Sequence, residues 1–457
     1  MNFMQLFKPA HDNPVSAALA GAGEFGLSLI AQSRRMRGLT ITSAVDRDPA
    51  RVAARLATLG VAYARCDSPR EAKAAHAAGK LVLAESIEVA LAVAPDMLVE
   101  ATGHQDGAVA HALAAIDAGV GVVMVSKEAE CVVGPALAAR ARKAGVPYTL
   151  VEGDQPALLI SLLTWCEALG LPVVAAGKSS EYDYVFDPAT GAVTWTTERT
   201  SAPSIAGLWA LGADRRATMS ARAEALAALP QRTVPDFCEM SLVANATGML
   251  ADRADFHAPM TRATELPEIY IPQADGGLLK SCGILDVFNC LRRPDEASFA
   301  GGVFAVVEWA DAASGALFRG KGIPTTADGK YGLVYNPSHL LGVEAPISIL
   351  SAARLANTSV DERYRQVVDL TAVVTHDMAA GHVLDIVGNR HAVPGLEPRL
   401  TQAARVEGAA ALPYYMAVGQ RLGRPVKAGH ILTAADIVAP NGSLLWSLRA
   451  EQDAVGN

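Results

Sequence analysis

Two lysines in this chain stand where short apolar runs end. Lys127, in Ser126-Lys127-Glu128, follows the run 120–125, and Lys178 follows 172–176 and leads into Ser179-Ser180-Glu181. At the carboxyl end of a strand in an open parallel sheet, a side chain reaches the ligand crevice. A lysine there can exchange the proton of a hydroxyl, or its ammonium can steady negative charge on the oxygen. Partial desolvation would lower the pKa of Lys178 toward neutrality, the condition for a general base. Glu152-Gly153-Asp154-Gln155-Pro156 adds two carboxylates in a Gly-Pro loop. They either orient a lysine, hold a divalent ion or cap the following helix. A solvated surface lysine is the ordinary alternative for both Lys127 and Lys178.

A second group of residues suits a dinucleotide. Gly21-Ala22-Gly23-Glu24-Phe25-Gly26 follows an apolar run directly and opens a helical segment, the context that gives a GxGxxG spacing its meaning. Gly21 allows the tight turn, Gly23 lets the backbone approach a pyrophosphate, and Gly26 lets the helix pack on the strand. Glu24 and Phe25 lie at the helix N-terminus, where phosphate charge is favoured. Asp46 ends the next strand about 20 residues on, placed to accept from ribose hydroxyls, which points to NAD. Arg47 follows at once and could clamp a 2′-phosphate, so NADP stays open. Ala101-Thr102-Gly103-His104 closes the next strong strand, so Thr102 and Gly103 should pass beside the cofactor. His104 is either a substrate contact or a surface histidine.

Glu239, Asn245, Thr247, Gln273 and Asp275 are polar interruptions of apolar stretches, with Asn245-Ala246-Thr247-Gly248 and Pro272-Gln273-Ala274-Asp275-Gly276-Gly277 as the clearest. Such loops bind substrate hydroxyls or serve as turn chemistry. HExxH, GxSxG and dense Cys/His clusters are all missing from the sequence, against a zinc peptidase or serine hydrolase.

Those residues need a frame. Residues 15–151 alternate apolar runs (15–19, 39–45, 97–101, 120–125, 148–151) with Ala-rich helical segments such as 49–59 and 107–118, a βαβ rhythm. The expected fold is α/β: a Rossmann doubly wound parallel sheet over 1–156, completed by the helical pattern 346–355 within 340–368. An α+β catalytic or dimerisation domain follows over 157–339. It begins with a helix at 161–169 and carries a hairpin at 182–197 and a strand at 304–309. Over 369–457 a small β-rich domain is expected, because Ala380-Gly381-His382-Val383-Leu384 recurs as Ala428-Gly429-His430-Ile431-Leu432.

Composition narrows the partners. The chain has 457 residues, is 51% hydrophobic and has a net charge of -8, so nothing in its charge attracts nucleic acid or anionic membrane. Its six cysteines form no CxxC pair, which suits reduced thiols in a cytoplasmic protein. Neither a leader nor a membrane span is expected. A small molecule is the expected substrate, and the expected state is a homo-oligomer, a dimer or tetramer.

Taken together the glycine loop, Ala101-Thr102-Gly103, Glu152 to Pro156, Ala176-Gly177-Lys178, Glu239-Met240 with Ala244 to Gly248, Ile271-Pro272-Gln273-Ala274 and the two Ala-Gly-His segments resemble one family. It is the homoserine-dehydrogenase-like oxidoreductases with a C-terminal SAF (antifreeze-like, β-clip) domain, including the deoxyxylulose-phosphate-reductoisomerase-like branch. The resemblance implies a nicotinamide enzyme acting on an alcohol or carbonyl, with Lys127 and Lys178 the nearest counterparts of the family's cleft lysines. It does not fix the substrate, for which a small polar metabolite such as a sugar acid or sugar phosphate is the leading expectation; its reductoisomerase branch implies NADPH, a divalent metal and a coupled skeletal rearrangement. A different class of function, an NAD-sensing regulatory protein, predicts cofactor binding without turnover.

Overall fold

Strand β1 (Val15–Ala20) is buried along almost its whole length, as a strand at the centre of a parallel sheet must be. In the computed structural model, which describes residues 2–388 and 392–455, it pairs in parallel with β2 (Leu39–Val45) on one side and β5 (Met97–Glu100) on the other. With β3 (Tyr63–Arg65), β4 (Leu81–Ala84), β6 (Gly121–Met124) and β7 (Tyr148–Leu150) they form one sheet in the order β3-β4-β2-β1-β5-β6-β7. All its pairings are parallel. The expected strands are present, and β3 and β4 are additions: at three and four residues they give little periodic signal. Strand order reverses at β1, so the crevice opens at the carboxyl ends of β1 and β5.

Helix Gln155–Ala168 begins earlier than its apolar pattern suggested, because Asp154 caps it and Pro156 sits in its first turn. It leads into a second, mixed sheet in the order β11-β10-β9-β13-β8-β14-β15. The strands are β8 (Val173–Ser179), β9 (Tyr184–Asp187), β10 (Ala192–Trp195), β11 (Glu198–Ser201), β13 (Ile284–Arg292), β14 (Val303–Glu308) and β15 (Tyr331–Asn336); short β12 (Met260–Thr261) pairs with β13 off this path. The hairpin turns at Asp187, which accepts from Ala189 N and Thr190 Oγ1. Helix Pro346–Leu355 returns to the first sheet, sharing a core with Val15, Ala17, Leu19 and Val123.

The C-terminal part is β-rich, with β16 (Val368–Val374) antiparallel to β17 (Leu396–Gln402). Its sequence repeat is a structural repeat. Met378 and Val426, equivalent positions of the two units, exchange both backbone hydrogen bonds, and Gly381 N donates to Leu422 O just as Gly429 N donates to Val374 O. That reciprocity is a local two-fold axis. The closing helix Leu444–Val455 packs on helix Lys127–Ala144 of the first sheet, and buried Arg449 is held by Asp369 and Asp453. Among the described residues, no helix is long and apolar enough to cross a membrane.

Candidate active site

The glycine loop turns tightly at the end of β1. Gly21 takes φ +90°, and a Cβ there would overlap the carbonyl of Ala101 at the end of β5. No other residue fits that approach. Gly26 lies directly against Gly21 and Leu19, whereas the space above Gly23 is open. Helix Glu24–Ser33 starts at Gly23 with no side-chain cap, so its first N–H groups are left for a ligand. Glu24 is exposed in that first turn and Phe25 faces the cleft described below. Asp46 accepts from Ala22 N at 3.0 Å and Asp48 N at 2.9 Å, and Arg51 Nη2 lies 3.0 Å from it. A carboxylate has about four acceptor positions, so room remains for a ribose hydroxyl. This cradle fits a dinucleotide. Arg47 is exposed beside Asp46, and the arginine that engages the carboxylate is Arg51.

Beyond the loop, Thr102 donates from N and Oγ1 to buried Glu100, and Gly103 N donates to Ser126 Oγ at 2.8 Å. His104 caps helix Gln105–Asp117 by accepting from Gly107 N at 3.0 Å. The cap accounts for this histidine, whereas neighbouring Gly103 reaches the cleft.

That cleft, about 260 Å³, runs between the two sheets and is lined by Phe25, Gly103, Ser126, Lys127, Asp154, Glu239 and others. Lys127 begins helix Lys127–Ala144 at the end of β6, and Asp154 caps the next helix. Helix Val234–Thr247 brings in Asp236 and Glu239, almost one turn apart on one buried face. Lys127 Nζ lies 2.5 Å from Glu239 Oε1 and 3.2 Å from Asp154 Oδ2. Lys178 Nζ pairs with the other oxygen of Glu239 and, at 2.8 Å, with Asp236 Oδ1. Ser180 and Thr233 hydroxyls hold the second oxygen of Asp236. Two ammonium groups thus share three carboxylates.

The electrostatics follow from that count. Burial alone would lower both lysine pKa values, but Asp154 and Glu239 outweigh it at Lys127, and Asp236 and Glu239 outweigh it at Lys178, so both are raised. Burial would raise Glu239, yet the two lysines bring it down to about 2. Lys178 therefore departs from the sequence expectation: it is fully buried and held as an ammonium, not poised to release a proton. The partners Asp236 and Glu239, from helix Val234–Thr247 further along the chain, set its charge against the burial. Lys127 remains one-quarter exposed and faces the cleft.

Other expected site residues lie elsewhere. Glu152 accepts from Ser161 Oγ at 2.6 Å, and burial raises its pKa. Asn245 is inside a helix and not in a loop; its Oδ1 accepts from Val367 and Val368 N, tying that helix to β16. Thr247 bonds back to Val243 O at the helix end, which is turn chemistry. Gln273 is exposed in a separate surface depression with Arg216 and Lys280. Sequence reasoning placed Glu239 among polar interruptions and passed over Asp236, Arg51, His339 and Tyr415. The two acidic residues three apart in an apolar helix were a usable signal. His339 and Tyr415 gave none, since they reach the cleft from distant segments.

A divalent metal fits poorly. Among the described residues no three His, Cys, Asp or Glu side chains are grouped to hold one, and the Lys127 ammonium already occupies the point where Asp154 and Glu239 converge.

Two family models match successive parts of the chain. Residues 38–150 match the family model "Homoserine dehydrogenase, NAD binding domain" and residues 153–345 match "Oxidoreductase DRL, catalytic domain". The glycine loop lies ahead of the first match. No curated protein matches the chain. Solved structures similar to it include an oxidoreductase from Agrobacterium radiobacter in complex with NAD+, L-tartaric acid and magnesium (17% identity, 39% of this chain and 47% of that one, TM-score 0.27). Others are a DOX-P reductoisomerase with magnesium (18%, 37% and 46%, TM-score 0.28) and the WlbA dehydrogenase of Bordetella pertussis with NADH and UDP-GlcNAcA (17%, 39% and 50%, TM-score 0.27). The chain spans about half the length of these structures, and the likenesses bear on neither substrate nor mechanism.

Proposed function

We propose that this chain, whose residues 38–150 match a homoserine-dehydrogenase NAD-binding domain and residues 153–345 a DRL oxidoreductase catalytic domain, transfers hydride between NAD and a secondary alcohol or carbonyl of a small polar metabolite, a sugar acid or sugar phosphate. The observation that carries the reading is Lys127, fixed as an ammonium between Asp154 and Glu239 in a cleft that also takes in Phe25 of the glycine loop. A cation held there without reorganisation stabilises the oxyanion character that an alcohol oxygen develops as its carbon loses hydride. Bound NAD supplies the hydride acceptor. The glycine loop and the Glu24–Ser33 N-terminus would hold its pyrophosphate, and Asp46 its adenosine ribose, which favours NAD over NADP.

Lys178 works through Glu239. It holds the carboxylate that aims Lys127, which makes it a positioning residue. The polar lining, with Ser126, Gln155, Glu181 and Tyr415, suits a hydroxylated substrate. The test is reduction of NAD+ and NADP+ by the purified chain over a panel of hydroxy acids, sugar acids and sugar phosphates. Turnover with NAD+ on one chemical group is the expected result. Tight NAD+ binding without turnover across the panel would favour a cofactor sensor instead.

A further inference from the structure

Resting on that reading, we propose that His339 is the proton acceptor of the reaction. The ammonium of Lys127 cannot take a proton, so another group of the cleft must. Asp154 and Glu239 are occupied by Lys127. Cys238 Sγ donates to Lys127 O, and burial holds the Tyr415 phenol protonated. Glu128 and Glu181 also line the cleft, but imidazole is the side chain most often used to exchange protons in such chemistry.

His339 reaches the cleft on the segment between β15 and helix Pro346–Leu355, and that segment is built to close tolerances. His339 Nδ1 lies 2.9 Å from Gly301 O. A carbonyl only accepts, so Nδ1 carries the hydrogen and, in the neutral ring, Nε2 is a bare acceptor. A Cβ at Gly301 would overlap the His339 ring. Two residues on, Leu341 takes φ +51° with its carbonyl against Gly153, and Gly342 lies against Phe25 O and Ser28 on the cofactor helix with no room for a side chain. The strap thus touches the Gly301 turn ahead of β14, the loop at Gly153 and the glycine-loop helix within four residues.

In the oxidation direction the alcohol carbon gives its hydrogen with both electrons to NAD+, and the hydroxyl proton passes to Nε2 of His339. The C–O bond becomes C=O, and the imidazolium returns the proton to water; reduction runs the same exchange in reverse.

The test uses the full chain and His339→Asn, whose side-chain amide retains a donor for Gly301 but offers no base. Nitrogen-15 NMR of histidine-labelled protein, assigned by the variant, should show the His339 hydrogen on Nδ1 and a resonance that moves when NAD+ is added. On the alcohol oxidised fastest in the panel, His339→Asn should lower kcat by about 100-fold with NAD+ affinity within about twofold of wild type, and free imidazole should restore part of the rate. A hydrogen on Nε2, or kcat above about one-tenth of wild type, overturns the proposal while leaving the oxidoreductase reading intact. A wild-type chain that oxidises nothing in the panel overturns both.

Discussion

Lys127 and Lys178 share a carboxylate but not an environment, and the difference decides their work. Lys127 keeps a quarter of its side chain open to the cleft, whereas Lys178 is sealed beneath Glu239. Lys127→Met should therefore lower kcat by about 100-fold or more, the cost of losing one preorganised charge at a developing oxyanion, with NAD+ affinity little changed in a fluorescence titration. Lys178→Met leaves Asp236 and Glu239 as buried carboxylates short of one cation. It should destabilise the fold by about 3–5 kcal/mol, read in denaturant unfolding, with catalysis lost as a consequence. Outside the cleft lining, against the glycine loop, Asp46 is the residue proposed to select the cofactor. Asp46→Ala should weaken NAD+ binding by about tenfold or more, the worth of hydrogen bonds to a charged group, and leave NADP+ less affected. Equal losses for both cofactors would remove the ribose assignment.

The β1 turn and helix Val234–Thr247 both bring residues to the cleft, Phe25 just after the turn and Glu239 on the helix. At the turn, Gly21 has both a left-handed backbone and a neighbour in the way of any side chain. Gly21→Ala should cost about 1–3 kcal/mol in strain alone and weaken NAD+ binding as the loop shifts away from β5, measured by isothermal titration on folded protein. This element was legible in advance, since a strand, a glycine spacing and a helix are all local patterns. Helix Val234–Thr247 was not. Its moment is weak because it is buried all round, so Glu239, Asn245 and Thr247 looked like polar gaps in apolar sequence when they are an ion-pair hub, a tie to β16 and a helix end. Local pattern reports burial on one face and says little about which distant partner neutralises a charge.

The whole molecule adds a dependence on pH. Glu130 is fully buried between the hydroxyls of Tyr148 and Tyr364, and burial lifts its pKa from 4.5 to about 7 against their hydrogen bonds; burial likewise lifts Asp286 to about 6. Between the unfolded and folded values the native chain holds more protons than the unfolded one, so stability falls as pH rises through that window, by about 3 kcal/mol for Glu130 by pH 8. Glu239 acts oppositely: its stabilisation is present above the usual carboxylate range and is lost as pH falls toward 2. Thermal melts should show highest stability in mildly acid buffer, and Glu130→Gln should flatten the decline between pH 5 and 8. An unchanged slope would place the loss elsewhere. By itself the sequence determined the parallel sheet, the glycine turn with Asp46, the C-terminal repeat and the placement of Lys127 at a strand's end, because each rests on periodicity or on spacing within a few dozen residues. Only the tertiary structure decided that both lysines stay charged, that Glu239 joins them, and that His339 faces the same cleft. Charge state and convergence depend on burial and on partners up to about two hundred residues away, and no local pattern carries that information.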